Sequence, residues 1–270
     1  EAGASINASA LEHGDGGTVV LWSDVHDPSS VTQVAGTIYA RGGALSGDGG
    51  RIETSGHHLR VNDSQGDASS PHGAAGLWLF DPYNVTITSA DANSAFAPDA
   101  NNLTDTWTPT ASGSSILNTT IVSKLNAGTH VAITTTGAGT DAGHITVNAA
   151  LDANNAATGQ LSLVADGDIQ LNANIHTGAS VLLKAAGHIT QAASTSVNTN
   201  GGNVTYWADS DSSGAGGISL LAGTSANPTA IVTNGGNITF GGGSDPTATS
   251  AIGVNGIRLD GFATLNAGTG

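Results

Sequence analysis

Residues 36–56 read GTIYARGGALSGDGGRIETSG. A short β-type run, Thr37-Ile38-Tyr39, ends at a glycine turn, Gly42-Gly43. A small polar loop leads to a second glycine turn, Gly49-Gly50, and a second β-type run from Arg51 to Thr54. Each run is too short to be a stable strand alone. Each turn carries the glycine that a tight corner with φ > 0 requires. Strand and corner then alternate to the end of the chain, so each short run must find its partners in other turns of the same pattern.

The second half shows the period best. Leu161, Val181, Val204 and Ile238 each follow a corner, in GQL, ASV, GNV and GNI. Ile169, Ile189, Ile218 and Ile257 lie between them, and Leu151, Ile175, Val197 and Ile231 form a third series. Spacings in each series start at 20 to 24 residues and widen to 34 to 39, as loops grow. Three strands per turn with a repeated period predict an all-β protein, a right-handed parallel β-helix. Stacked coils satisfy each other's backbone donors and acceptors at roughly 4.8 Å, with apolar residues inward and Thr, Asn, Ser and Asp outward. The first half follows the same plan: residues 16–24, GGTVVLWSD, parallel residues 201–209, GGNVTYWAD.

The plan is interrupted between Ser89 and Thr129, so the chain divides into coils at 1–88, an excursion at 89–129 and further coils at 130–270, all in one solenoid. The excursion carries Pro98, Trp107 and Pro109. Its later part, Ser115–Gly128, reads as one short helix. Asn118 or Thr119 is the expected N-cap, Ile121 and Leu125 the buried pair, and Gly128 the stop. In Leu77-Trp78-Leu79-Phe80 the period-2 rule turns one pair inward. Leucines suit a narrow core, which puts Trp78 and Phe80 outside, under the excursion with Trp107 or exposed as a patch for a partner.

Composition narrows the function. There are 21 acidic and six basic residues, a formal charge of −15, and no cysteine. Such a chain is a poor partner for nucleic acid or an anionic membrane surface, and no apolar run approaches the roughly 18 residues of a membrane-inserted helix. Disulfides and thiol chemistry are absent.

Four blocks in the first 88 residues, GGTVVLWSD at 16–24, GTIYARGG at 36–43, GDGGRIETSG at 47–56 and GLWLFDPYNVTIT at 76–88, resemble the filamentous-haemagglutinin-type large exoproteins of bacterial two-partner secretion. The segment from Ser115 to Val131 is similar to the family's helix-then-strand element. The family carries an apolar residue where Gly66 stands here. The resemblance implies a β-helical segment of a secreted, cell-surface adhesin or filament. It also implies an outer-membrane secretion pore as partner of the parent chain, and a receptor or glycan on a host or neighbouring cell.

The residues also have to be weighed for chemistry. Asp24 and Asp27, and the parallel Asp209 and Asp211, sit just after strands. They could hold Ca²⁺, but turn capping is the preferred reading, since no calcium repeat is present. His144, Asp168 and His188 follow corner glycines in successive coils and should stack outward in a row, as metal ligands or as a solvated ladder in which Asp168 pairs with the imidazoles. His57-His58 lies in a strand-like stretch whose neighbours face opposite ways. Neither a catalytic set nor a cofactor is expected. The preferred reading is a non-catalytic adhesive rod; the alternatives are a carbohydrate-active β-helix enzyme and a passive stalk presenting a toxin or binding tip.

Overall fold

The computed structural model describes residues 3–91, 95–97, 106–108, 113–135, 142–153, 159–251 and 256–268; for 95–97 and 106–108 the backbone alone is described. The chain is an all-β parallel β-helix with one α-helix. Its backbone is the eight-stranded long sheet: Thr18–Trp22, Arg51–Gly56, Leu77–Pro82, His130–Thr134, Leu161–Ala165, Val181–Ala185, Val204–Ala208 and Ile238–Gly242. The register carries an inward column from Val19 through Ile52, Trp78, Val131, Leu161, Val181 and Val204 to Ile238. The first predicted series is the last four members of that column. The other two are columns as well, Ile169-Ile189-Ile218-Ile257 in the second sheet and Leu151-Ile175-Val197-Ile231 in the third. Isoleucine and valine on pleated, half-buried strands explain the element type, and stacking supplies the pairing that three-residue strands cannot find alone.

Register also crosses the interruption, because Leu77–Pro82 pairs directly with His130–Thr134. The strand Ser114–Leu117 pairs with Val85–Thr88 and turns its other edge towards the earlier coil, where Ser114 Oγ accepts from Leu59 N at 2.9 Å. Asn62 completes the join: its Oδ1 accepts from Leu117 N at 2.8 Å and its Nδ2 donates to Ser115 O at 3.0 Å. The expected helix is thus shorter than the sequence suggested. Residues 114–117 are strand, the helix is Asn118–Asn126, and its N-cap is Leu117, with no side-chain cap bond. Asn62 fixes the chain at the residue before the helix, and neither Asn118 nor Thr119 acts as its cap.

The helix end matches expectation. Gly128 has φ +83°, Gly128 N donates to Leu125 O at 2.9 Å and Thr129 N to Lys124 O at 3.1 Å, the two bonds of a Schellman stop. Ile121 and Leu125 are fully buried. The helix packs between Gln65–Asp67 and Leu151–Ala153, two strands of the third face that never pair with each other. It replaces a rung of that face.

One expectation is reversed. Trp78 and Phe80 are fully buried, and Leu77 and Leu79 face outward. Alternation gives the period but not the phase. The phase is set by neighbours, since Trp78 stands between Ile52 and Val131, and Phe80 between Thr54 and Ile133. Gly66 has φ +143°, and a Cβ there would lie 1.9 Å from Ile38 O, so the apolar residue of the family pattern cannot occupy this backbone. Trp78 Nε1 donates to Thr54 Oγ1 at 3.3 Å, which satisfies the buried indole N–H.

Candidate functional site

Three places in this solenoid concentrate chemistry: the corner row, the interior beside the helix, and the outer surface of the long sheet near its first strand.

The corner row is an acceptor ladder. Asn84 Oδ1 accepts from His144 N at 2.6 Å, His144 Nδ1 from Asp168 N at 2.8 Å, Asp168 Oδ1 from His188 N at 2.6 Å, and His188 Nδ1 from Gly217 N at 3.0 Å. Each side chain caps the backbone N–H of the next coil at the corner, where no strand bond reaches. His144 and Asp168 are about half exposed, and Nδ1 to Oδ2 is 3.8 Å. The row therefore stacks outward as expected, but its contacts run to backbone. With Nδ1 accepting, the proton of each neutral ring sits on Nε2. Ser180 Oγ and Asn203 Oδ1 do the same work at another corner, accepting from Asn203 N and Asn237 N. Among the described residues, no group of three or more His, Asp or Glu is placed to hold a metal ion.

The aspartates after strands are turn caps by geometry. Asp24 Oδ1 accepts from His26 N at 2.9 Å; Asp27 Oδ1 accepts from Ser29 N and Ser29 Oγ, bonds that hold the Asp27 carboxyl below the usual range. Asp209 is fully buried at φ +52°, with Oδ1 accepting from Gly214 N at 2.7 Å, Ser213 Oγ and Ala215 N, and Oδ2 enclosed without a hydrogen-bond partner. Asp211 Oδ1 accepts from Ser213 N at 3.1 Å. His57 and His58 differ from the expected opposed pair. Both are buried, because His57 forms the corner after Gly56, stacks on Tyr83 at 4.3 Å and shares a hydrogen bond with Val25 O at 2.8 Å.

Trp78 and Phe80 take no part in a surface aromatic patch. They are stacked on each other inside the core at 5.5 Å. Trp107 lies in the short strand Thr106–Thr108, antiparallel to Ala95–Ala97, and its side chain lies outside the described residues.

Two features escaped the sequence reading. Lys124 is 1% exposed; its Nζ donates to Ser64 O at 3.2 Å and stands 4.4 Å from the Trp78 ring and 6.0 Å from that of Phe80. Burial lowers its pKa to about 7. The second is a groove of about 220 Å³ on the outer surface, lined by Trp22, Asp24, His26, Glu53, Ser55 and Asp81. Trp22 is 72% exposed. It heads an outward column through Ser55 and Asp81 that reaches Trp207 four rungs after Asp81 and passes on to Gly241. A larger depression of about 340 Å³ on the third face is lined by Asn7, Leu11, Tyr39, Arg41 and Pro71, with Arg41 held by Asp67 at 3.5 Å.

No family model matches this chain, and no curated protein sequence is significantly similar to it.

Proposed function

We propose that this chain is a non-catalytic, β-helical segment of a secreted bacterial surface protein of the filamentous-haemagglutinin type, serving as a rigid rod for adhesion. The observation that carries the reading is the unbroken inward column of the long sheet, eight rungs deep, joined across the excursion without a change of register. Seven spacings of about 4.8 Å make a rod segment of roughly 34 Å. Its stiffness follows from close-packed coils in which each touches only its neighbours. The family-like blocks support the same reading by position: they supply the strands Thr18–Trp22, Thr37–Tyr39, Arg51–Gly56 and Leu77–Pro82 with Val85–Thr88, the first coils of this stack. Export through a partner outer-membrane pore, display at the cell surface and a receptor or glycan on another cell belong to this proposal.

Beads coated with the purified chain test it against beads coated with the same chain heat-unfolded. Adhesive function gives greater retention of the folded coat on epithelial cells or a bacterial lawn. Equal retention rejects adhesion and leaves the stalk. A rise in reducing ends or unsaturated products from a polysaccharide panel rejects the non-catalytic reading.

A further inference from the structure

We propose that the groove beside Trp22 binds a single neutral hexopyranose ring of a glycan. The inference rests on the adhesive reading and names its ligand class and contact site.

The argument begins with an exposed tryptophan. Tryptophan carries a large apolar face, and a 72% exposed indole on a strand leaves that face in water. Its column neighbour is Ser55, too small to cover it. Trp207, in the same outward column, is handled differently: its Nε1 donates to Gly243 O at 2.6 Å and Lys184 Nζ covers its ring at 4.2 Å. Trp22 has no such cover among the described contacts, and it opens onto a cavity.

The rim of that cavity is made of carboxylates with acceptor capacity to spare. Asp81 accepts from Thr134 Oγ1 at 3.0 Å. Glu53 accepts from Arg51 Nη2 at 2.8 Å and Ser55 Oγ at 3.2 Å. Asp24 accepts from His26 N. A carboxylate has about four lone-pair positions, so each can take further donors. Burial raises the pKa of Asp81, and the neighbouring charges of Glu53 and Asp166 add to that rise, against the opposing Thr134 hydrogen bond.

These features select a ligand. A pyranose presents an apolar C–H face, which stacks on the negative face of an aromatic ring, and a rim of hydroxyl donors, which carboxylates accept. The acidic rim disfavours uronates, sulfates and phosphates, and the chain's charge of −15 extends that field. A metal ion does not suit the groove, because these carboxylates form no group able to chelate one among the described residues. At about 220 Å³ the groove is below the roughly 300–1,000 Å³ of a drug-sized site, which is the scale of one ring.

Saturation-transfer NMR on the whole chain tests this with methyl β-D-glucopyranoside, methyl β-D-galactopyranoside and methyl α-D-mannopyranoside. Methyl β-D-glucuronide serves as the anionic control and choline as the cationic one. The expected result is transfer to the C–H face of at least one neutral glycoside and none to the glucuronide. Trp22→Ala weakens binding about tenfold or more, the equivalent of 1.4 kcal/mol, and Asp81→Asn weakens it measurably. Trp22 is mostly exposed, so the variant should keep the wild-type unfolding midpoint, which is measured alongside; Glu53→Gln, which leaves Trp22 in place, is the second variant. Silence from all three neutral glycosides, binding unchanged in Trp22→Ala, or preference for choline or glucuronide overturns the proposal. Bead adhesion separates the two readings. Adhesion that survives Trp22→Ala with no glycoside binding defeats the groove alone. Glycoside binding without adhesion defeats the adhesive rod alone.

Discussion

Replacing Lys124 by methionine should stabilise the protein and remove part of its pH dependence. Lysine titrates at 10.5 when solvated and at about 7 in this interior, where burial is the cause. The gap of about 3.5 pH units, at 1.36 kcal/mol per unit, corresponds to roughly 4–5 kcal/mol at neutral pH. The sign follows from proton counting. Between about 7 and 10.5 the unfolded chain binds the proton and the folded chain does not, so stability rises with pH across that window and is lower below it. Methionine in turn leaves the buried Ser64 carbonyl without its Lys124 donor, which costs about 1–3 kcal/mol. Lys124→Met should therefore gain on the order of 2–3 kcal/mol at pH 7, since an unbranched apolar chain fills the same space. Denaturant unfolding of both proteins at half-unit steps from pH 7 to pH 9.5 reads the effect. The wild-type curve should rise towards the variant's as pH increases. Parallel curves, or a variant less stable at pH 7 by more than 1 kcal/mol, would refute the account of Lys124 as a desolvated amine.

Other sites give sharper but smaller tests. Tyr206 Oη donates to Gln191 Oε1 at 2.8 Å inside the core, so Tyr206→Phe should cost about 1–3 kcal/mol by leaving that acceptor unpaired; double replacement with Gln191→Leu should cost less than the sum of the singles. Burial raises the Tyr206 pKa, so this phenol's share of stability is full below about pH 10 and is lost as pH rises through the folded value, which alkaline unfolding of the wild type against Tyr206→Phe measures. His130 Nδ1 accepts from Gln160 N at 2.8 Å and burial lowers its pKa from 6.5. Its contribution is therefore full above 6.5 and lost as pH falls through the folded value, and His130→Asn should unfold with a shallower dependence between pH 7 and pH 5. At the corner row, ¹⁵N shifts of His144 and His188 should report the Nε2–H tautomer; His188→Ala should cost about 1 kcal/mol, with His188→Asn recovering part by restoring an acceptor.

The columns were legible because corner and apolar residue recur together, so that glycine marks the rung and isoleucine the inward position. The phase of Leu77–Phe80 was not legible. Ring volume argued for outward aromatics, but Ile52 and Val131 fix the parity of the strand between them. Position carried the outward stacking of His144, Asp168 and His188. Their bonding did not follow from position, because a side chain that caps a backbone N–H one coil away looks in sequence like any solvated polar residue. Lys124 was hidden for a related reason. A lysine near the end of a short helix reads as a surface cation, and only the location of that helix, in place of a strand, turns it inward. Trp22 falls in a family-like block, but which face it occupies depends on the register with Ser55 and Asp81.

The helix has a consequence for how the rod holds together. On the third face it separates the strands ending at Gln65–Asp67 from those starting at Leu151–Ala153. Backbone pairing there stops, and side chains take over: Lys124 to Ser64 O, Thr120 Oγ1 to Asn62 O, and Thr129 Oγ1 accepting from Ala68 N. On the second face the join also runs through side chains, from Ser114 and Asn62. Among the described strands, only those of the long sheet pair across this plane, Arg51–Gly56 with Leu77–Pro82; at the next plane the second face is paired as well, Val85–Thr88 with Ile145–Val147. A solenoid gains cooperativity from nearest-neighbour interfaces, and this interface rests on packing and a few polar side chains more than any later one. Asn62, with three bonds to the segment 115–120, is its most connected member. Asn62→Ala should loosen the coils up to residue 67 from the layer formed by 77–88 and 114–126, and native-state hydrogen exchange would show it as faster exchange at Leu59 and Leu117 with little change at Val181 and Val204.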